Sequence, residues 1–72
     1  MNIQEDLQAL HNHETFARFI KTIHDLREET ISEMHEASSD TIQQVSGRII
    51  TYDQILQFVN WEALKKRHSD QL

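Results

Sequence analysis

The four residues "ASSD" (37–40) lie between two long segments with helical periodicity, and they decide how the chain folds. Serine and aspartate side chains compete for backbone hydrogen-bond donors, which favours caps and turns over helix interiors. The stretch therefore predicts a short turn at which the chain reverses. Asp40, with Gln43 three residues later, fits a capping box that would start the second helix. Ser38 and Ser39 are alternative caps.

Apolar residues recur at helical spacing on both sides of this turn. Before the turn, the pattern predicts a helix from Asn12 or His13 to about Glu36. After the turn, it predicts a helix from about Asp40 to Val59. The two apolar stripes are Phe16, Phe19, Ile20, Ile23, Leu26, Ile31 and Met34 in the first helix, and Ile42, Val45, Ile49, Tyr52, Leu56 and Val59 in the second.

These patterns predict an all-α fold in a single small domain, residues 1–72. Its centre is an antiparallel helical hairpin of two long helices over about 14–59, with the turn at 37–40. Short helical segments are expected at both ends. Asn2, with a glutamate three residues later, fits the cap of the first. Asn60 either caps a separate last helix or lies within a continuation of the long one. No alternating β-branched run indicates a strand.

Size and composition favour a helical domain that is completed by another chain. The protein has 72 residues, no cysteine and an apolar fraction of 38%. A core of this size rarely supplies more than about 3–5 kcal/mol without disulfides, metal or oligomerisation. We therefore expect a homo-oligomer or a multi-copy component of a larger assembly.

Charge and hydropathy exclude several classes of protein. The net charge is −5, and nine of the twelve acids lie in residues 1–40. An acidic balance disfavours broad nucleic-acid binding, which requires a basic face. No run of about 18 apolar residues predicts a membrane span, and the N-terminal sequence does not fit a secretory signal. The expected location is the cytoplasm, or an assembly that forms there.

The sequence predicts no enzyme, no metal and no cofactor. "HNH" (11–13) lacks the strand hairpin and the later histidine of the nuclease site with that name, and zinc requires three or four ligands. A single glycine excludes a phosphate-binding glycine loop. No serine has a residue pattern that would hold it beside a base, and there is no cysteine nucleophile.

Each apolar stripe contains one charged residue. Arg27 projects close to the middle of the first stripe, and Asp53 projects near the edge of the second. With a turn near residue 38, the two lie about one helical turn apart. We expect Arg27 to pair with Asp53 or with Tyr52. Such a pair would set the register of the two helices rather than add much stability.

A second surface of the third helix is centred on Gly47, the only glycine in the chain. Ile50, Phe58 and Trp61 project to the same side, away from the apolar stripe. Glycine inside a helix costs roughly 1 kcal/mol relative to alanine, so close approach of another chain would explain it. We predict a protein contact through these four residues. The alternative is that the first helix folds back over this side through Ile3, Leu7 and Leu10.

Residues 16–56 resemble short proteins encoded by tailed bacteriophages. The resemblance rests on "FARFI" (16–20), "LREE" (26–29), an acidic, serine-rich turn and "VSGRIITYDQIL" (45–56). It implies a helical hairpin encoded near capsid, portal and tail components, and it transfers no catalytic residue. The matching residues are Phe16, Phe19, Leu26, Arg27, Glu28, Val45, Gly47, Ile49, Ile55 and Leu56.

The expected function is therefore non-enzymatic protein–protein interaction, as a minor virion component on the head, portal or tail of a tailed phage. The alternative is a regulatory protein that binds and inhibits a host enzyme through its acidic helix. A nucleic-acid-binding module is a third possibility. It would use Lys65, Lys66 and Arg67, which otherwise complement the helix dipole at a C-terminus.

Overall fold

A computed structural model describes residues 2–72 of the protein, so residue 1 of the predicted domain lies outside the described residues. The described chain is all-helical and contains no strand. Its four helices are α1 (Ile3–His11), α2 (Glu14–Met34), α3 (Ile42–Phe58) and α4 (Trp61–Arg67).

The two long helices, α2 and α3, form the most extensive helix–helix contact. Two ion pairs connect them, Arg27 with Asp53 and Glu33 with Arg48. Because the later residue of α2 pairs with the earlier residue of α3, the order of the two pairs is that expected for an antiparallel hairpin.

The first helix starts at the predicted cap. The Asn2 side chain accepts hydrogen bonds from the backbone N–H groups of Gln4 and Glu5, at 3.0 and 3.4 Å. These bonds satisfy two donors that the first turn of a helix leaves unpaired.

The start of α3 differs from the prediction, because Asp40 is not its cap. The Ser38 carbonyl accepts hydrogen bonds from the backbone N–H groups of Thr41 and Ile42, at 3.1 and 3.0 Å. The Thr41 hydroxyl donates to the same carbonyl at 3.2 Å. The turn is therefore organised around a backbone acceptor. The cap moves to Thr41, and the segment between α2 and α3 becomes longer than 37–40.

The core lies where α2, α3 and α4 meet. Of the predicted stripes, Ile20, Val45, Leu56 and Val59 are buried as expected. Phe19, Leu26 and Ile42 also belong to the stripes but are exposed, so the expectation that the stripes are buried was wrong for these three. The buried cluster consists of Ala17, Ile20, Leu56, Val59, Trp61 and Leu64.

The position of α4 explains the difference. It is a separate helix that packs against α2, and both Ala17 and Leu64 are fully buried. Ala17 lies about 160° around α2 from Phe19. A small side chain at this position leaves room for α4, so the buried side of α2 turns toward Ala17 and away from Phe19.

Hydrogen bonds from two histidine rings connect α1 to the other helices. The His11 ring donates from Nε2 to the Val59 carbonyl at 2.7 Å. The His68 ring, which is buried at the end of α4, donates from Nε2 to the His11 carbonyl at 2.7 Å. The C-terminal end of α1 is thereby held at the junction of α3 and α4.

Candidate protein-binding surface

The outer face of α3 is the side of that helix turned away from α2. We define it by Gln43, Gly47, Ile50, Gln54 and Phe58, which project within about 80° of arc. All five are exposed. Ile50 and Phe58 keep 57% and 59% of their accessible surface. Two large apolar side chains therefore lie in water on the same face as a glycine, Ile50 about one turn after it and Phe58 about three turns after it.

Among residues 2–72, no neighbouring element packs against Gly47. A Cβ atom built at this position would meet no atom within 4 Å, and the backbone φ is not positive. Neither a local contact nor backbone conformation therefore requires a glycine here. The alternative in which α1 folds over Gly47 is wrong, since His11 fastens α1 elsewhere and Leu7 packs against the core.

Trp61 does not belong to the outer face of α3, contrary to the prediction. That prediction extended α3 beyond Phe58, where the helix actually ends. Asn60 adopts a left-handed conformation, with φ 55° and ψ 61°, which redirects the chain into α4. Trp61 is consequently 6% exposed and stacks on His24, with ring centroids 5.5 Å apart. It is a core residue.

Arg27 and Asp53 form the ion pair that the sequence suggested. Arg27 donates from Nε to Asp53 Oδ1 and from Nη1 to Glu28 Oε1, the latter at 3.1 Å. The hydrogen bond to Asp53 raises the pKa of Arg27 above its ordinary value, and the nearby charge of Glu28 acts in the same direction. Both side chains of the pair are partly exposed to solvent. The ion pair connects α2 to α3. Because the two charges are paired with each other, neither is free to bind a ligand.

A groove of about 460 Å³ runs beside this pair. The indole Nε1 of Trp61 is buried and has no hydrogen-bond partner among residues 2–72. Of the charged groups that line the groove, Arg27 and Asp53 pair with each other across α2 and α3, and Glu62 pairs with Lys65 within α4. The residues that line it are His24, Arg27, Asp53, Leu56, Gln57, Asn60, Trp61 and Glu62.

The charged residues of the predicted alternatives lie away from α3's outer face. Glu28 and Glu33 of α2 contact Arg27 and Arg48 within the chain. At the end of α4, Lys65 pairs with Glu62 at 3.1 Å. Lys66 and Arg67 are exposed in the last turn of α4.

The sequence identified the glycine-centred face but missed its most consistent property. Thr51 and Gln57 flank the five residues of the outer face, so seven neighbouring positions on this side carry no charge. Projecting all residue types around α3, and not the apolar ones alone, would have revealed this.

None of the four helices in the described chain has the length and apolarity needed to cross a membrane. Across residues 2–72, no three histidine, aspartate or glutamate side chains converge as metal ligands. Comparison of the chain with protein families, with characterised proteins and with solved structures found no match.

Proposed function

We propose that this protein is a non-enzymatic interaction component whose binding surface is the outer face of α3. The observation that carries the proposal is the exposure of Ile50 and Phe58 on the same face of α3 as Gly47, a face without charged side chains. Interface cores are depleted of charged residues and enriched in aromatic ones. A glycine with open space above it also allows another chain to approach closely.

In this proposal the antiparallel hairpin of α2 and α3 is a rigid frame for the binding surface. The Arg27–Asp53 pair sets the register of the two helices, which fixes where Ile50 and Phe58 lie. Partly exposed ion pairs add little stability, so a role in register is the better explanation for a charged residue on an otherwise apolar stripe.

The assembly that we propose is the particle of a tailed phage. The support for it is the resemblance of residues 16–56 to short helical proteins encoded with capsid, portal and tail components. The chain would be assembled in the host cytoplasm and occupy several symmetry-related positions on the head, portal or tail. It would act by adhesion alone.

The acidic side of α2 is less suited to be the binding surface. An inhibitor that works through this helix needs free carboxylates for its target. Glu28 and Glu33 already face arginines of the same chain at 3.1 and 3.0 Å. Binding through them would require these contacts to be exchanged, whereas the outer face of α3 is open.

Incorporation into particles tests the proposal. The test requires a tailed phage that encodes the chain, with Ile50→Lys and Ile3→Lys made separately in that gene. Ile3 is the matched control, because it is the same residue type with 58% exposure on α1, compared with 57% for Ile50. We expect the wild-type chain and Ile3→Lys in purified particles at a stoichiometry set by symmetry, and loss of Ile50→Lys. A wild-type chain that stays in the soluble fraction and never enters particles would overturn the proposal.

A further inference from the structure

We infer that the partner which packs on the outer face of α3 is a second copy of this chain, in an antiparallel pair with a two-fold axis near Ile50. The inference rests on the proposed function, because it names a partner for the same surface. Three independent properties of the chain lead to it: residue spacing, charge and surface area.

Residue spacing is the first property. Four residues of the outer face, Gln43, Gly47, Ile50 and Gln54, and the flanking Gln57 follow one another at intervals of four, three, four and three residues. Phe58 is next to Gln57 at the edge of this row. Alternating intervals of four and three define the seam along which two helices pack with side chains interleaved. The inner face of α3 already packs on α2, so the seam on its outer face is available to a second helix.

The antiparallel two-fold arrangement follows from the order of residues along this seam. In such a pair, the same patch of each copy meets itself. With the axis near Ile50, the two Ile50 side chains meet at the centre and Gly47 faces Gln54 of the second copy. Phe58 lies over Gln43 of the second copy at each end. The open space above Gly47 then receives the opposing glutamine.

Charge is the second property. Each chain carries a net charge of −5, so two copies repel each other, and the repulsion is smallest when their contact avoids the acids. The seven side chains on and beside the outer face are uncharged. Partners of opposite charge are recognised through complementary charged groups. An uncharged, self-complementary face fits a second copy of an acidic chain better than it fits a basic partner.

Surface area is the third property. A monomer of 8.5 kDa is expected to expose about 4,700 Å². This chain exposes 5403 Å². The excess of about 700 Å² is close to the roughly 800 Å² that each partner buries in a standard interface.

The shape of the chain agrees with this excess. The Cα radius of gyration is 14.3 Å, and the shortest dimension is 15 Å. A compact domain of this length has a radius of gyration of about 11 Å. The chain is thus a thin slab, and pairing on the outer face of α3 supplies a further helical layer.

The first experiment measures mass in solution by sedimentation equilibrium across a concentration series of the full chain. We expect twice the 8.5 kDa of one chain for the wild type and for the control Ile3→Lys. For Ile50→Lys we expect association weakened about a hundredfold in favour of the monomer, because each dimer would bury two unpaired ammonium groups. Circular dichroism checks that both variants remain helical.

The second experiment tests the axis. The chain has no cysteine, so Ile50→Cys introduces a single thiol. Near a two-fold axis, two such thiols lie within reach of a disulfide. Mild oxidation should cross-link Ile50→Cys efficiently. Ile3→Cys and Arg48→Cys should cross-link only at the rate of random collision.

The outcomes separate this inference from the proposed function. A monomer at every concentration overturns the second copy as partner, and so does a trimer or a dimer that Ile50→Lys leaves intact. If the chain is monomeric but Ile50→Lys still blocks entry into particles, the binding surface stands and only its partner changes. If neither assembly nor incorporation responds to Ile50→Lys, both are overturned.

Discussion

The outer sides of the two long helices differ in kind. On α2, charged residues one turn apart pair with each other, as Arg18 does with Glu14 and Lys21 with Asp25. On α3, the outward side contains Ile50 and Phe58 beside a glycine and several uncharged polar residues. The side of α2 that carries these pairs is thus suited to water, although Phe19 and Leu26 are exposed elsewhere on that helix. The outer face of α3 is suited to another protein.

The internal packing of the chain does not explain this difference. If Gly47 served the fold, a neighbouring element would lie against it, and none of the described helices does. The left-handed residue Asn60 instead ends the stripe by turning the chain, so that Trp61 and Leu64 enter the core. The chain therefore buries its last apolar residues and leaves Ile50 and Phe58 outside.

The largest expected effect comes from comparing two isoleucines, one in the core and one on the outer face. Ile20 is 2% exposed in the cluster under α4, whereas Ile50 is 57% exposed. Ile20→Ala should lower the free energy of unfolding by about 2–5 kcal/mol, through lost burial and the cavity that remains. In the dissociated chain, Ile50→Ala should change it by less than about 0.5 kcal/mol. Urea unfolding at high dilution measures both.

The control is the concentration dependence of this comparison. At concentrations where two copies associate, Ile50→Ala should destabilise the chain, because binding contributes to apparent stability. The cost of Ile20→Ala should be present at every concentration. Equal losses for both variants at high dilution would mean that Ile50 is packed within the monomer, and the contrast between the two sides of α3 would disappear.

The sequence predicted helix positions well because local signals determine them. Asn2 caps α1 as its side chain indicates, and the core contacts of Ile20 and Leu56 follow from helical spacing. The prediction failed for residues whose burial depends on where α4 packs in the folded chain. Nothing local shows that Phe19 lies outside the core, because its exposure depends on where α4 packs around α2.

The candidate surface was predictable in its centre and wrong at its edge. Gly47, Ile50 and Phe58 lie on one continuous helix, so the angle between them follows from sequence. Trp61 was misplaced because the prediction continued the helical rotation of α3 beyond Asn60, where the helix has already ended. An asparagine tolerates the left-handed conformation more readily than other residues with a side chain, but the residue type alone does not show that it adopts it.

Gly47 provides a substitution with effects of opposite sign. Because a Cβ at this position meets nothing in the described part of the chain outside the backbone of its own helix, Gly47→Ala should raise the free energy of unfolding of the monomer by about 0.5–1 kcal/mol. The same methyl group occupies the space where a second copy approaches, so association should weaken. Thermal unfolding at high dilution and sedimentation measure the two effects separately. A stabilised variant that associates as tightly as the wild type would show that no close approach occurs at Gly47.

The ion pair between α2 and α3 should contribute a smaller amount. A double-mutant cycle with Arg27→Met and Asp53→Asn should give a coupling free energy of about 0.5–1 kcal/mol, because both side chains are only partly shielded from solvent. Glu33 and Arg48 join the same helices at 3.0 Å and are more exposed, so their cycle is the matched control. It should give a smaller coupling. Equal coupling energies in the two cycles would show that the Arg27–Asp53 pair contributes no more to the hairpin than an ordinary surface pair.

The smallest effect concerns the charged side of α2 and depends on pH. A hydrogen bond from Lys21 lowers the pKa of Asp25, partly offset by burial, and His24 adds to the lowering. Because the pKa in the folded chain lies below the unfolded value, Asp25 contributes stability above that unfolded value and loses it as pH falls through the folded pKa. The contribution should be about 0.3–0.5 kcal/mol, typical of pairs one turn apart.

Urea unfolding measures this contribution. The free energies of unfolding of the wild type and of Asp25→Asn should differ by this amount near neutral pH and should converge in acid below the pKa. Lys21→Met should remove most of the difference. A difference that persists in acid would mean that Asp25 stabilises α2 through something other than its charge. Ion pairing would then not explain why the outer side of α2 is stable in water.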